Sequence, residues 1–266
     1  MLQLNELHIW EKLSGPYGNS EEIPALLIQL SNTHSKKIAD EIIWEYIYHQ
    51  GSIYECTLAT IPHLLKIADE SNNPDFKLDL LLSLGIVLIG IDETSNLQGI
   101  FKEENLAEPI QKSIQTAFID SLQLFQNGIN HSFQHARILE EESKRFFLIA
   151  FLVISKRHKE AEIFTIFSGN DEYVFVCPHC EEETFLWNEE NILNAYSKDP
   201  VLSAESPQKL SIEMNESNPE LEWLETPVNE IGINSLKPLI KYFRGDLTCH
   251  NCNKQSNVFA GILNSI

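Results

Sequence analysis

The chain is poor in basic residues, with 19 Lys and Arg against 39 Asp and Glu in 266 residues and a formal net charge of −20. Binding to phosphate backbones needs clustered Lys and Arg, so this shortage disfavours nucleic acid and anionic membranes as partners. One basic stretch occurs, SKRHK at residues 155–159, and the other basic side chains are scattered. A surface this acidic favours a basic protein partner.

The chain also lacks a long apolar run. Its longest apolar segment, LDLLLSLGIVLIGID, is interrupted by Asp79 and ends at Asp92. The segment is too short for a bilayer core of roughly 30 Å and indicates a buried helix. The N-terminal MLQLNELHIWEKL has no basic leader and contains Glu6 and Glu11, so we expect no signal peptide and a cytoplasmic location.

Sequence motifs of common enzyme classes are missing as well. The chain contains no G-x-x-x-x-G-K-[ST], G-x-G-x-x-G, G-x-S-x-G or H-E-x-x-H. With 39 carboxylates, a pair can be chosen anywhere by eye, so no carboxylate is assigned to acid–base catalysis. We therefore predict no catalytic residues and a protein that is not an enzyme.

Residues 1–170 carry helical periodicity and a repeat. The segment IPALLIQL from Ile23 matches IPHLLKIA from Ile61, and each is followed by a polar turn and a second apolar helix. Pro109 marks the first helix of a third hairpin, and the segment ARILEEESKRFFLIAFLVI supplies its second helix. Hairpins of about 40 residues cannot bury their apolar faces singly, so they stack into an α-solenoid. An irregular helical bundle is the alternative.

The run YHQGSIYECTLATIPHLLKIA, residues 48–68, resembles a run in the HEAT-like repeat proteins of bacteria. Cys56 and Thr60 stand where those proteins usually have alanine. The resemblance covers about residues 20–95 well, and it extends over the next seventy residues only as a similar helical architecture. It implies a protein-binding scaffold, and several such proteins are similar to the immunity proteins of polymorphic toxin systems.

Two cysteine pairs, CPHC and CHNC, follow residue 170 with 68 residues between them. Paired C-x2-C motifs in a cytosolic chain favour a four-thiolate zinc site, in which each Zn–S distance is about 2.3 Å. We predict one structural Zn²⁺, bound by Cys177, Cys180, Cys249 and Cys252. His179 and His250 lie within the motifs as alternative ligands, although four cysteines already complete the shell.

β-prone residues flank both pairs, so the sequence predicts a zinc-ribbon-like domain over residues 171–266, with an acidic insertion at 188–245. The predicted fold class is mainly α: a HEAT-like α-solenoid of helical hairpins over residues 1–170, followed by this small α+β domain.

The CPHC motif also occurs in thiol–disulfide oxidoreductases, where the first cysteine begins a helix after a strand. The strand EYVFV is present, and Thr226-Pro227 could form the proline loop of such enzymes. Two features disfavour an oxidoreductase. No βαβ pattern precedes the motif, and the acidic residues 181–183 would raise the pKa of a nearby thiol. A redox enzyme remains one alternative, and a zinc-ribbon module that binds nucleic acid or has a regulatory role remains another.

Residues 181–230 include thirteen acidic side chains and two basic ones, Lys198 and Lys209. This segment is either a solvated acidic face or a docking surface. Trp223 is a candidate anchor because aromatic residues ringed by charge are typical of interface hot spots. The predicted partner-binding residues are Glu181, Glu182, Glu183, Glu220, Glu222, Trp223 and Glu225. We expect a non-enzymatic, cytoplasmic immunity protein that binds a basic toxin domain and neutralises it, with neither nucleic acid nor a membrane as partner.

Overall fold

The computed structural model describes residues 1–18, 20–91, 97–101, 106–167, 169, 172–203, 206–215 and 219–266. About 56% of these residues are helical, and the described elements include eleven α-helices and three small antiparallel sheets. The fold is therefore mixed and α-rich. Among the described helices, none is long and apolar enough to cross a membrane.

The chain divides into two compact units. The first contains residues 1–133 and 149–158, and the second contains residues 134–148 and 159–266. The domain boundary at residue 170 stays a prediction.

The α-helices are α1 (Leu7–Trp10), α2 (Ile23–Thr33), α3 (Lys36–Glu41), α4 (Glu55–Glu70), α5 (Pro74–Leu88), α6 (Glu108–Ala136), α7 (Glu141–Ile154), α8 (His158–Ile166), α9 (Glu222–Ile231), α10 (Ile240–Phe243) and α11 (Val258–Leu263). A π-helical turn, Ile42–Ile47, continues α3, and 3-10 turns occupy Leu97–Ile100, Pro219–Leu221 and Lys237–Leu239.

The strands are β1 (Tyr48–His49), β2 (Ser52–Ile53), β3 (Glu172–Val176), β4 (Glu183–Glu189), β5 (Ile192–Tyr196), β6 (Lys209–Leu210), β7 (Ile212–Glu213), β8 (Asp246–Thr248) and β9 (Gln255–Asn257). Strands β1 and β2 form a hairpin in the first unit, whereas β3 to β6 and β7 to β9 form two sheets in the second, each in sequential order.

Two helical hairpins, α2–α3 and α4–α5, lie at the start of the first unit. Pro24 occupies the first turn of α2, where its missing N–H costs nothing, and His34 ends α2 in the left-handed conformation, with φ of 48°. The Asn73 side chain caps α5 by accepting the backbone N–H of Asp75 and Phe76. Helix α2 packs on α4 and α3 packs on α5, so corresponding helices of the two hairpins lie side by side.

Although their sequences match, α2 and α4 start at different positions relative to the repeat. Pro62 lies inside α4, which begins at Glu55, whereas Pro24 lies at the start of α2. At the earlier start of α4, the backbone N–H of Tyr54 donates to the Thr57 hydroxyl at 3.0 Å. The buried carboxylate of Glu55 accepts the backbone N–H of Ser14 at 2.8 Å, which ties this start to the N-terminal segment.

From Leu80 onwards helix α5 is almost entirely apolar and mostly buried, as the sequence predicts. A Cβ at Gly85 would lie 2.7 Å from the Cβ of Ala150 in α7, so these two helices approach closely. A Cβ at Gly128 of α6 would lie 2.7 Å from Leu81 of α5. Small residues thus allow both later helices to pack against α5.

The second unit has an aromatic core between α11 and β3. Gly261 permits this packing, because a Cβ there would overlap the Phe175 ring. Phe243 contacts Tyr173 at 5.3 Å and Phe259 at 5.7 Å between ring centroids. These four aromatic rings are buried.

Candidate metal centre

The first cysteine pair forms the turn between β3 and β4. The backbone N–H of Cys177 donates to the carbonyl of Glu182, and the N–H of Glu181 donates to the carbonyl of Cys177, both at 2.9 Å. Glu181 has φ of +61°, a left-handed conformation that non-glycine residues rarely adopt. This residue turns the chain back into β4.

The second pair forms the turn between β8 and β9 and repeats the same bonds. The N–H of Cys249 donates to the carbonyl of Lys254, and the N–H of Asn253 donates to the carbonyl of Cys249, both at 3.0 Å. Asn253 has φ of +57° and takes the place of the left-handed residue. The two turns are therefore built alike, although one sits in the four-stranded sheet and the other in the three-stranded sheet.

These turns bring four sulfur atoms together, all within 4.8 Å of one another. The Sγ atoms of Cys177 and Cys252 are 3.7 Å apart, and those of Cys180 and Cys249 are 3.6 Å apart. A tetrahedral site with Zn–S distances of about 2.3 Å has S–S edges of about 3.8 Å. All four cysteines are free thiols, so the cluster could coordinate one metal ion. Their assignment as zinc ligands stays a prediction.

The four thiols differ in surroundings. Cys177 and Cys249 are buried, whereas Cys180 and Cys252 are half-buried. A hydrogen bond from the backbone N–H of Glu182 lowers the pKa of Cys180 to about 7, and burial raises the pKa of Cys249 to about 11. Four adjacent thiolates repel one another, and a bound cation would offset that repulsion.

The two histidines of the motifs lie outside the cluster. His179 is exposed, and His250 places Nε2 3.4 Å from the Glu182 carboxylate. The Asn251 amide approaches the sulfur of Cys180 at 3.7 Å. Residues of the second turn thus contact the first turn around the sulfur cluster. Sequence reasoning missed the contact between Glu182 and His250, although each residue is close in sequence to a cysteine of the cluster.

The first group of predicted partner-binding residues lies beside the metal centre. Glu181 and Glu183 are exposed, and Glu182 is half-buried next to His250. The carboxylates of Glu181 and Glu183 are therefore accessible at the first cysteine turn.

The second group lies on α9 and the 3-10 turn before it. Glu220 and Glu222 are exposed, whereas the Glu225 carboxylate forms an ion pair with Arg244. The half-buried Trp223 ring packs on Phe259 at 5.8 Å between centroids. Part of this group therefore serves the packing of the second unit.

Comparison with models of protein families, with curated proteins and with solved structures gives no significant match to the chain. The resemblance to HEAT-like repeat proteins and to immunity proteins stays a prediction.

Proposed function

We propose that the chain is a non-enzymatic, cytoplasmic protein that binds and neutralises a basic partner, and that it is an immunity protein whose partner is a bacterial toxin domain. The four-cysteine cluster is the observation that supports a protein without catalytic activity. Four thiolates fill a tetrahedral shell, which leaves no position for water or substrate.

The metal proposed for the cluster is one structural Zn²⁺, bound by Cys177, Cys180, Cys249 and Cys252. Tetrahedral sets of four sulfur ligands suit zinc or iron–sulfur centres. One ion at this place fits the S–S distances of 3.6 and 3.7 Å. Bound zinc would cross-link two β-hairpins, which gives the second unit the character of a zinc ribbon.

The local structure disfavours the oxidoreductase alternative. The CPHC motif forms a β-hairpin turn, so its first cysteine does not begin a helix whose dipole would stabilise a thiolate. Cys177 neighbours Cys252 of the second pair, and both are free thiols. Pro227 lies inside α9 instead of in a loop.

The first unit is proposed to be a HEAT-like solenoid. The support is the side-by-side packing of α2 on α4 and of α3 on α5. The close approach of Gly85 and Ala150 places α7 against α5, as a third stacked hairpin requires.

The basic partner is proposed from the charge of the second unit. Residues 181–230 include thirteen acidic and two basic side chains. Glu181, Glu183 and Glu222 are exposed among them. Such a surface attracts a cationic protein, raises its association rate and repels nucleic acid.

The test uses the product of the gene adjacent to that of this chain. Co-expression should protect cells from that product, and the purified proteins should associate. A triple variant with Glu181, Glu183 and Glu222 changed to Lys should lower the association rate constant about tenfold at low salt. Glu225 is left unchanged because its reversal would break the pair with Arg244.

A matched variant changes three exposed carboxylates of the first unit, Glu11, Glu21 and Glu41, to Lys. Its net charge equals that of the first variant, so any larger effect of the first variant locates the partner on the second unit. Equal rates for the two variants would exclude residues 181–222 as the docking surface. Absence of both protection and association would overturn the proposed function.

A further inference from the structure

The sulfur atoms of the four-cysteine cluster form two close pairs that each join the two turns. The Sγ atoms of Cys177 and Cys252 are 3.7 Å apart, and those of Cys180 and Cys249 are 3.6 Å apart. The S–S bond of a disulfide is about 2.0 Å long, so each pair needs to approach by only roughly 1.7 Å to form one. Each such disulfide would connect the β3–β4 hairpin to the β8–β9 hairpin covalently.

Contacts around the sulfur atoms hold the two turns against each other. Two backbone hydrogen bonds of 2.9 Å close the first turn, and two of 3.0 Å close the second. His250 Nε2 lies 3.4 Å from the Glu182 carboxylate, and the Asn251 amide lies 3.7 Å from the Cys180 sulfur. These contacts are made by protein atoms alone, so they keep the sulfur pairs adjacent independently of a bound ion.

The two cysteines of each pair differ in access to solvent. Cys180 and Cys252 are half-buried, whereas Cys249 and Cys177 are buried. A small oxidant therefore reaches Cys180 and Cys252 first. Each of these accessible sulfur atoms has a buried sulfur of the other turn within 3.7 Å, which is the arrangement of an oxidised cysteine beside a resolving cysteine.

We propose that the cluster is a site of oxidation by hydrogen peroxide, which converts it into two disulfides, Cys177–Cys252 and Cys180–Cys249. In each pair the half-buried sulfur attacks one peroxide oxygen, the O–O bond breaks, and a sulfenic acid and one water form. The buried sulfur then attacks the sulfenic sulfur, so that an S–S bond forms and a second water leaves.

The electrons and protons of this reaction balance within each pair. Two thiols lose two electrons and two hydrogen atoms, and one hydrogen peroxide is reduced to two waters. Where the sulfur atoms begin as thiolates on a metal ion, solvent supplies the protons and the ion is released, because its ligands are consumed. The oxidation does not involve the proposed basic partner.

The proposed disulfides would replace an ion as the link between the hairpins. They connect cysteines 75 and 69 residues apart, and cross-links over such separations strongly restrict the unfolded chain. A disulfide within one C-x2-C turn would instead close a loop of four residues and leave the hairpins unconnected. The oxidised second unit should therefore stay folded without a metal.

Mass spectrometry of the peroxide-treated full chain tests the pairing. Trypsin cleaves after Lys and Arg, so the two motifs lie on the peptides 160–198 and 245–254. These peptides should appear as one linked species that lacks four hydrogen atoms, and fragments broken between Cys177 and Cys180 should assign the pairs. Separate peptides with internal disulfides, the opposite cross-pairing, or sulfinic acids would overturn the proposal.

Two variants measure how many cysteine pairs react. Cys180→Ser leaves Cys249 without its partner, so it should consume one peroxide per chain where the parent consumes two. Cys56→Ser is the matched control, because Cys56 is fully buried in the first unit, and it should react like the parent. Equal consumption by Cys180→Ser and the parent would contradict the proposed pairs. The peptide mapping of the parent does not depend on the folding of either variant.

Hydrogen exchange tests whether the disulfides replace the ion. Peroxide-treated protein is compared with reduced protein that has been treated with a chelator. Strands β7 to β9 should exchange about tenfold more slowly in the oxidised protein, because both hairpins remain cross-linked. Equal exchange in the two samples would refute the proposed link.

Discussion

Acidification should destabilise the first unit through one buried histidine. His63 of α4 is 7% exposed, and its Nε2–H donates to the carbonyl of Leu2 at 2.9 Å. Its ring lies 6.0 Å from that of Trp10. Burial lowers the pKa of His63 from 6.5 to about 4. The ring therefore stays neutral in the folded protein at pH 5.

The sign of the effect follows from proton binding. Between pH 6.5 and pH 4 the unfolded chain binds a proton at His63 and the folded chain does not, so stability falls as the pH falls. The loss is about 1.36 kcal/mol for each pH unit in this interval. It reaches about 2 kcal/mol at pH 5 and about 3 kcal/mol at pH 4. Above pH 6.5 the full stability is present.

Urea unfolding at pH 8 and pH 5, followed by Trp10 fluorescence, measures this loss. The other three tryptophans are replaced by Phe in every protein compared. His63→Gln keeps a donor for the Leu2 carbonyl but cannot titrate, so it should lose about 2 kcal/mol less between the two pH values. His131→Gln, at an exposed site, should behave like the parent. Equal losses in the His63→Gln variant and the parent would refute the assignment.

Three further changes test the metal centre and its unit. Purified protein should contain about one metal ion per chain by elemental analysis, and Cys249→Ser should lose it whereas Cys56→Ser retains it. Glu181→Asn should raise the free energy of unfolding of the second unit by about 1 kcal/mol, because Asn tolerates the left-handed conformation; no gain in urea titration would show that the turn is unstrained. Gly261→Ala should lower the free energy of unfolding of the second unit by about 1–3 kcal/mol, because the added Cβ overlaps the Phe175 ring. The control Gly90→Ala should have little effect on unfolding, because the nearest atoms to its Cβ lie at 3.5 Å.

Local patterns in the sequence predicted the parts of the fold that local forces decide. Pro24 lies in the first turn of α2, where proline suits the exposed end of a helix. The run from Leu80 onwards is a buried helix because nearly all of its residues are apolar. The two C-x2-C motifs predicted the four-cysteine cluster, because each pair forms a tight turn that can present two thiols to one ion.

The start of α4 illustrates what the sequence could not provide. Pro62 matches Pro24 in the repeat, but Pro24 lies in the first turn of α2, whereas α4 begins at Glu55 and contains Pro62 in its interior. Glu55 is buried and accepts the N–H of Ser14, 41 residues away in sequence. A contact at that separation leaves no local pattern, because its stabilisation appears only when the N-terminal segment is in place.

The acidic segment shows a second limit of the sequence. Net charge identifies an acidic surface but does not say which carboxylates are already paired within the fold. Glu225 and Glu182 have such partners in Arg244 and His250, whereas Glu181 and Glu222 are exposed. An exposed carboxylate can pair with a basic partner without breaking an ion pair within the fold. The test of a basic partner therefore depends on exposure in the fold, which the sequence does not reveal.

A metal ion at the four-cysteine cluster would stabilise a different part of the second unit from the part that the aromatic core stabilises. Strands β7, β8 and β9 contain only two or three residues each, so their ladder provides few hydrogen bonds and little buried apolar surface. The core between β3 and α11 instead buries four aromatic rings. Because the cysteines come from both sheets, one ion would fasten the weaker sheet to the stronger one. Chelation should therefore raise hydrogen exchange in β7 to β9 first and leave β3 and α11 protected. Uniform loss of protection across the unit would mean that the aromatic core cannot persist without the ion.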